Sequence, residues 1–197
     1  MSRFEIDLEF EKENFNKQDT FYNTFKGIDK IIRTNFDNIN GRKLQENDID
    51  VVLLSNEGRT YTISEKHVRN NYGNLLIEVY SSIESFVSGW MEKSKAKNLV
   101  YFIDDEYVPE VVVVNMQELQ EVFKKYKILE QVKSKCGDFC KSNKHSADFL
   151  VNICNKEVNC RIIKAQNEGY TTLSICIPYS ALDIDIKKYY WNGKKKS

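Results

Sequence analysis

Two carboxylates and a lysine on neighbouring strands can hydrolyse a phosphodiester, and this sequence offers such a set. Asp48 and Asp50 lie two apart at the head of DIDVVLL (48–54). Alternation along a strand puts them on one face. Ser64 and Lys66 share a face in RTYTISEKHV (59–68), with Glu65 turned to the other side. Glu78 shares a face with Leu76 and Tyr80 in LLIEVYS (75–81). A hairpin followed by a third strand can bring Asp50, the Ser64–Lys66 region and Glu78 to one point. Mg²⁺ or Mn²⁺ takes hard oxygen ligands, usually one or two carboxylates with water and phosphate oxygens. Such an ion acidifies a bound water and neutralises charge at a phosphodiester, and a nearby lysine assists the attacking water. Asp50 and Glu78 are the candidate ligands and Lys66 the candidate catalytic lysine.

The elements that must position these residues follow from periodicity. In DTFYNTFKGIDKIIRTNF (19–36), Phe21, Phe25, Ile28, Ile31 and Ile32 recur at three and four, which predicts a helix with one buried face, weakened at Gly27. The period then changes to two. DIDVVLL and RTYTISEKHV flank the turn Asn56-Glu57-Gly58 and predict an antiparallel hairpin. LLIEVYS is a third strand, and SIESFVSGWMEKSKAK (82–97) a loop followed by a helix. NLVYFID (98–104) is apolar enough to be central, EVVVV (110–114) is another strand, and 116–135 is helical. DFLVNIC (148–154) and VNCRIIKA (158–165) predict a second hairpin, and TTLSICIPYSAL (171–182) a strand that stops near Pro178. The sum is mixed α/β.

This order of elements resembles the PD-(D/E)XK nuclease superfamily, and more narrowly its phage-encoded members. The runs that carry the likeness are D-I-D-V-V-L-L, Y-T-I-S-E-K, L-L-I-E-V-Y-S-S, G-W, S-K-A-K and N-L-V-Y-F, with the late G-Y-T-T-L-S-I-C-I-P-Y-S-A-L. The resemblance implies an α/β fold with a mixed central sheet flanked by helices. It would be restriction-endonuclease-like, with an αβββαβ core and extra C-terminal β-strands. By position, Asp50 matches the first metal-binding aspartate and Lys66 the motif lysine. The acidic residue two before that lysine falls on Ser64, which cannot replace a charged ligand. Glu65 could serve if a bulge shifts the strand by one residue, and Glu78 could supply the second carboxylate. Glu11 or Glu13 in the first helix is a weaker substitute. The resemblance implies an intracellular phage or mobile-element protein acting on nucleic acid with Mg²⁺ or Mn²⁺. The competing reading is the same fold without catalysis. It would bind nucleic acid or a protein, for instance as an inhibitor of a host defence nuclease.

Each residue also has an ordinary structural reading. Aspartates are common where strands begin, a strand lysine beside a glutamate is usually solvated, and Glu78 could face solvent on an edge strand. Cys136, Cys140, Cys154, Cys160 and His145 contain enough ligands for zinc, but the spacing is loose and buried free thiols fit five cysteines better. Lys93, Lys95 and Lys97 could touch phosphates or simply be solvated. Trp90 could stack on a base or pack in the core. Composition sets the bounds: 197 residues with 41% hydrophobic and 29% charged suit a single domain over 1–190, leaving 191–197 as a disordered basic tail. With 29 basic and 29 acidic residues the formal net charge is zero, which removes the simplest argument for DNA binding. No apolar run approaches a bilayer span and the acidic N-terminus lacks the order of a secretory signal, which predicts a cytoplasmic protein with no membrane partner. The sequence does not reveal an oligomeric state.

Overall fold

A computed structural model describes residues 15–34, 39–107 and 109–196. The chain is mixed α/β and gathers into two compact units rather than around one central sheet. Of the described residues, the first unit takes those up to Tyr72, those within Ser94–Gln117 and those from Asp185 onward; the second takes Gly73–Lys93 and Glu118–Ile184. Among the described residues no helix is long and apolar enough to cross a membrane.

The first unit holds a six-stranded sheet of β1 (Ile28–Arg33), β2 (Val51–Ser55), β3 (Thr60–Val68), β6 (Asn98–Ile103), β7 (Glu110–Asn115) and β11 (Ile186–Tyr189), side by side in that order. β1, β2 and β3 form an antiparallel meander, β6 runs parallel to β3, and β7 and β11 return antiparallel. The β2–β3 turn closes as the sequence predicts. Gly58 takes a φ of +76°, Ser55 donates its N–H to the Arg59 carbonyl, and the Ser55 hydroxyl accepts from Arg59. Helix α1 covers the described residues 15–23, and α2 (Ile39–Glu46) leads into β2. Phe21 and Tyr22 of α1 are buried against Val51, Leu53, Ile63, Val100, Phe102 and Val111. Phe21 meets Phe102 edge to face at 5.5 Å. Each such side chain contributes about 1.5–3 kcal/mol through burial.

The second unit holds a five-stranded antiparallel sheet in the order β5 (Val87–Ser88), β4 (Asn74–Ser82), β10 (Thr171–Pro178), β9 (Lys156–Gln166), β8 (Ser146–Ile153). Alternation buries one face: Leu75, Ile77 and Val79 of β4, Ile175 and Ile177 of β10, Ile162 of β9, Val151 and Ile153 of β8. Ile128 and Val132 of α5 (Ile128–Lys135) are also fully buried, and this helix packs on β4 and β8. α3 (Trp90–Lys93), α4 (Met116–Lys125) and α6 (Gly137–Lys141) complete the helices.

Several expectations need correction. The helix predicted across 19–36 ends by residue 23, because Gly27 adopts a φ of +86° and Ile28–Arg33 continues as a strand beside β2. Its isoleucines fit a helical period, but their branched side chains also suit a strand. β1 therefore takes the place beside the hairpin, and LLIEVYS, expected as the hairpin's third strand, becomes β4 of the other sheet. The helix expected late in 82–97 shrinks to the four residues of α3 after the two-residue β5. Residues 191–196, expected to be disordered, are folded onto the first unit. Trp191 packs 5.4 Å from Phe102, and Lys196 pairs with the buried Glu110 at 3.1 Å.

Candidate functional site

The turn between α2 and β2 carries Asp48 in the left-handed region, with a φ of 55°, which aspartate tolerates better than most residues. Asp50 follows just before β2. Its N–H donates to the Ile63 carbonyl at 2.8 Å and its carbonyl accepts from Thr34 at 2.9 Å, so its backbone is held from both sides. Its Oδ2 accepts the Glu65 N–H of β3 at 2.8 Å. Lys66 then donates Nζ to Asp48 Oδ1 at 2.9 Å and lies 3.8 Å from Asp50 Oδ2. Asp48, Asp50 and Lys66 thus converge at one end of the β2–β3 hairpin.

Burial sets the charge balance there. The Asp48 side chain is 12% exposed and that of Asp50 32%. Burial raises the Asp50 carboxyl above its ordinary pKa; Lys66 opposes the rise and the neighbouring Asp48 adds to it. Asp48 Oδ2 is inaccessible to solvent and has no hydrogen-bond partner among the described residues. A buried carboxylate oxygen without a partner is costly, and a cation would relieve it. The chemistry of the donor set fits a hard divalent ion held by Asp48 and Asp50. Among the described residues no three His, Cys, Asp or Glu are grouped to hold a metal. The remaining coordination would come from water and phosphate oxygens, as Mg²⁺ prefers.

Glu65 faces the other way, as strand alternation requires. Its carboxylate accepts from Arg33 Nη1 at 2.7 Å and from the Tyr22 hydroxyl at 2.7 Å. Arg33 also binds Asp19 Oδ1 through Nη2 at 2.7 Å and Nε at 3.1 Å, and Gln18 through Nη2 at 3.0 Å. Burial raises the Glu65 carboxyl against the lowering pull of Arg33, and raises the Tyr22 hydroxyl beside it. Glu65 is therefore engaged in locking α1 and β1 to β3. No bulge turns it toward Lys66, since β3 pairs with β6 in unbroken register from Ile63 to Val68. Ser64, at the position where the motif would be acidic, is fully buried, and its hydroxyl has no partner among the described residues.

Glu78 lies in β4, opposite Ser174 of β10, in the five-stranded sheet. The six-stranded sheet that carries Asp50 and Lys66 does not contain it. Glu11 and Glu13 fall outside the described residues. Asp48 emerges as the carboxylate closest to Lys66. Arg33, Tyr22 and Asp19 escaped sequence reading because no local spacing links them to Glu65, more than thirty residues away from each. Lys95 and Lys97 are exposed, and the Lys95 N–H bonds the Asn47 carbonyl, next to Asp48.

The five cysteines are free. Burial pushes the Cys136 thiol up to about 12 and the Cys160 thiol up to about 11, which favours the neutral form over a metal-binding thiolate. No family model matches the chain, and neither the curated proteins nor the solved structures contain a significant match.

Proposed function

We propose that the chain is a restriction-endonuclease-like protein that acts on nucleic acid as a divalent-cation-dependent phosphodiesterase, with Asp48, Asp50 and Lys66 as its centre. The observation that carries this reading is the convergence of Lys66 with two partly buried carboxylates at the head of β2. The element order supports it: α1, an antiparallel meander β1–β2–β3, and then β6 parallel to β3. Asp48 and Asp50 would hold Mg²⁺ or Mn²⁺, which supplies charge neutralisation at the phosphodiester and a more acidic bound water. The Glu65 N–H fixes the Asp50 carboxylate. Lys66 carries a positive charge beside the pair and donates to the oxygen on which charge develops. Lys95, exposed and bonded through its N–H to the Asn47 carbonyl beside Asp48, would meet a phosphate next to the centre.

Purified protein incubated with Mg²⁺ or Mn²⁺ and labelled single- and double-stranded DNA and RNA tests this reading. Cleavage is expected, and it should disappear in both Asp50→Asn and Lys66→Met. Cleavage that persists in both variants assigns the chemistry elsewhere. Ser64 favours a second reading, because no charge stands at the motif's acidic position and Glu65 is taken by Arg33. In that case the same fold binds nucleic acid, or a host defence protein, without cutting. Binding with no metal-dependent cleavage selects it.

A further inference from the structure

The second unit holds a pair of thiols that the phosphodiesterase centre does not use. Helices α5 and α6 meet at Cys136, which caps the end of the one and the start of the other. The Cys140 N–H donates to the Cys136 carbonyl at 2.8 Å, so the two cysteines stand one helical turn apart on one face. Helix geometry puts their Cα atoms about 6 Å apart, inside the span that a disulfide bridges. A side-chain hydrogen bond already joins the two thiols. Cys136 is 2% exposed and Cys140 half-buried, so one thiol is shielded and the other partly open to solvent. The turn is anchored from outside, because Lys164 of β9 donates Nζ to the carbonyls of Phe139, Cys140 and Ser142. The other cysteines are placed differently. Cys176 stands opposite Arg161, so alternation puts Cys160 on the other face of the sheet, and Cys154 lies in the β8–β9 turn.

We propose that Cys136 and Cys140 form a reversible intramolecular disulfide by exchange with a low-molecular-weight disulfide such as glutathione disulfide. The Cys140 thiolate attacks one sulfur of glutathione disulfide, forms a mixed disulfide and releases one glutathione thiolate. Cys136 then loses its proton to water and attacks the Cys140 sulfur, expelling the second glutathione thiolate. The two cysteines are oxidised, glutathione disulfide is reduced to two glutathiones, and the two cysteine protons end on the released thiolates. Closing the bond draws the Cβ atoms together by about 1–2 Å, and Cys136, at the junction between helices, is the residue whose backbone can adjust. Burial pushes the Cys136 thiol up, so no stabilised thiolate holds the pair reduced, as it does in strongly oxidising dithiols. The inference does not depend on the phosphodiesterase reading.

Trypsin separates this pair from the other cysteines, because cleavage after Lys135 and Lys141 releases Cys-Gly-Asp-Phe-Cys-Lys, 136–141. The native full-length protein is incubated with glutathione disulfide, quenched with N-ethylmaleimide, digested and analysed by mass spectrometry. We expect this peptide to lose two hydrogens and to carry no maleimide, and dithiothreitol to restore two alkylatable thiols. In Cys136→Ser the same treatment should leave Cys140 as a lasting mixed disulfide with glutathione, because the second thiol is gone. Thermal melts check that this variant stays folded, and the wild-type peptide decides the matter if it does not. A wild-type peptide that stays fully alkylated, or that carries glutathione on Cys140 without closing, overturns the inference. So does a bond that forms only when the protein is unfolded in urea, since the native turn then plays no part.

Discussion

Asp50 holds its charge at the expense of the fold. Its carboxyl binds a proton more tightly in the native state than in the unfolded chain, because burial outweighs the pull of Lys66. For such a group the folded state gains protons as pH falls through the raised value, so stability rises on acidification and is lowest where Asp50 is ionised. Asp50→Asn removes the charge and keeps an oxygen to accept the Glu65 N–H. We expect it to raise Tm at pH 7 while abolishing any cleavage, and to show no such gain at a pH below 4. Mg²⁺ should raise the Tm of the wild-type protein and leave that of Asp50→Asn unchanged. An unchanged or lower Tm in the variant would show that Asp50 is a stabilising residue rather than a strained one. Arg33 presents the opposite case. Its guanidinium, 20% exposed, pairs with Glu65, 9% exposed, and removing it leaves that buried carboxylate without its cation and with the Tyr22 hydroxyl as its remaining side-chain donor. Arg33→Ala should destabilise the protein by about 3 kcal/mol, the lower part of the range for a broken buried pair. Urea unfolding measures it. Adding Glu65→Gln should restore part of the loss, and a double variant no better than the single would refute the pairing as the cause.

At the level of elements, close backbone approach decides more than propensity does. Gly89, just after β5, runs so near β4 that a Cβ there would stand 2.0 Å from the Glu78 carbonyl oxygen and 2.5 Å from its carbonyl carbon. The clash is with backbone, and the Gly89 N–H already bonds the Val79 carbonyl at 3.0 Å, so neither partner yields easily. Gly89→Ala should therefore destabilise the five-stranded sheet by about 1–3 kcal/mol, as overpacking does elsewhere. A change in urea midpoint within error of wild type would contradict the approach. The strands whose side chains alternate cleanly or run apolar were legible in the sequence: β2, β3, β6, β7, β8, β9 and β10 lie where period and turn residues predict. β1 was not, since Ile28, Ile31 and Ile32 satisfy a period of 3.6 as well as a short strand does. β4 was legible as a strand but not as a partner of β10, because sheet membership is a long-range pairing that no local pattern encodes. The candidate site divides the same way. Asp50 and Lys66 were readable from alternation along one hairpin. Asp48 gains its place beside Lys66 from a left-handed turn, and Glu65 loses its candidacy to an arginine that sequence reading put in a helix. Trp191 was hidden by its company, because a lysine-rich end looks unstructured until an indole is seen to pack.

Over the whole molecule, zero net charge makes ionic strength a decisive probe. A strongly basic protein attracts nucleic acid through its summed field, and its affinity then falls steeply with salt. Here 29 basic and 29 acidic residues cancel, so attraction must come from a few local cations. Lys66 at the proposed centre and the exposed Lys95, held beside Asp48 through its N–H to the Asn47 carbonyl, are the nearest such cations, and neutralising one phosphate of a single strand contributes about 0.7 to the slope of log K against log salt. Two contacts predict a slope of about −1.4 for a short single strand. Anisotropy titrations across a range of KCl concentrations measure it, and Lys95→Gln should reduce the slope by about 0.7 while leaving base preference unchanged. A slope near zero would mean that no phosphate is held at the centre. A slope several times steeper would require a basic surface larger than these two lysines, and would move the nucleic-acid interface away from the head of β2.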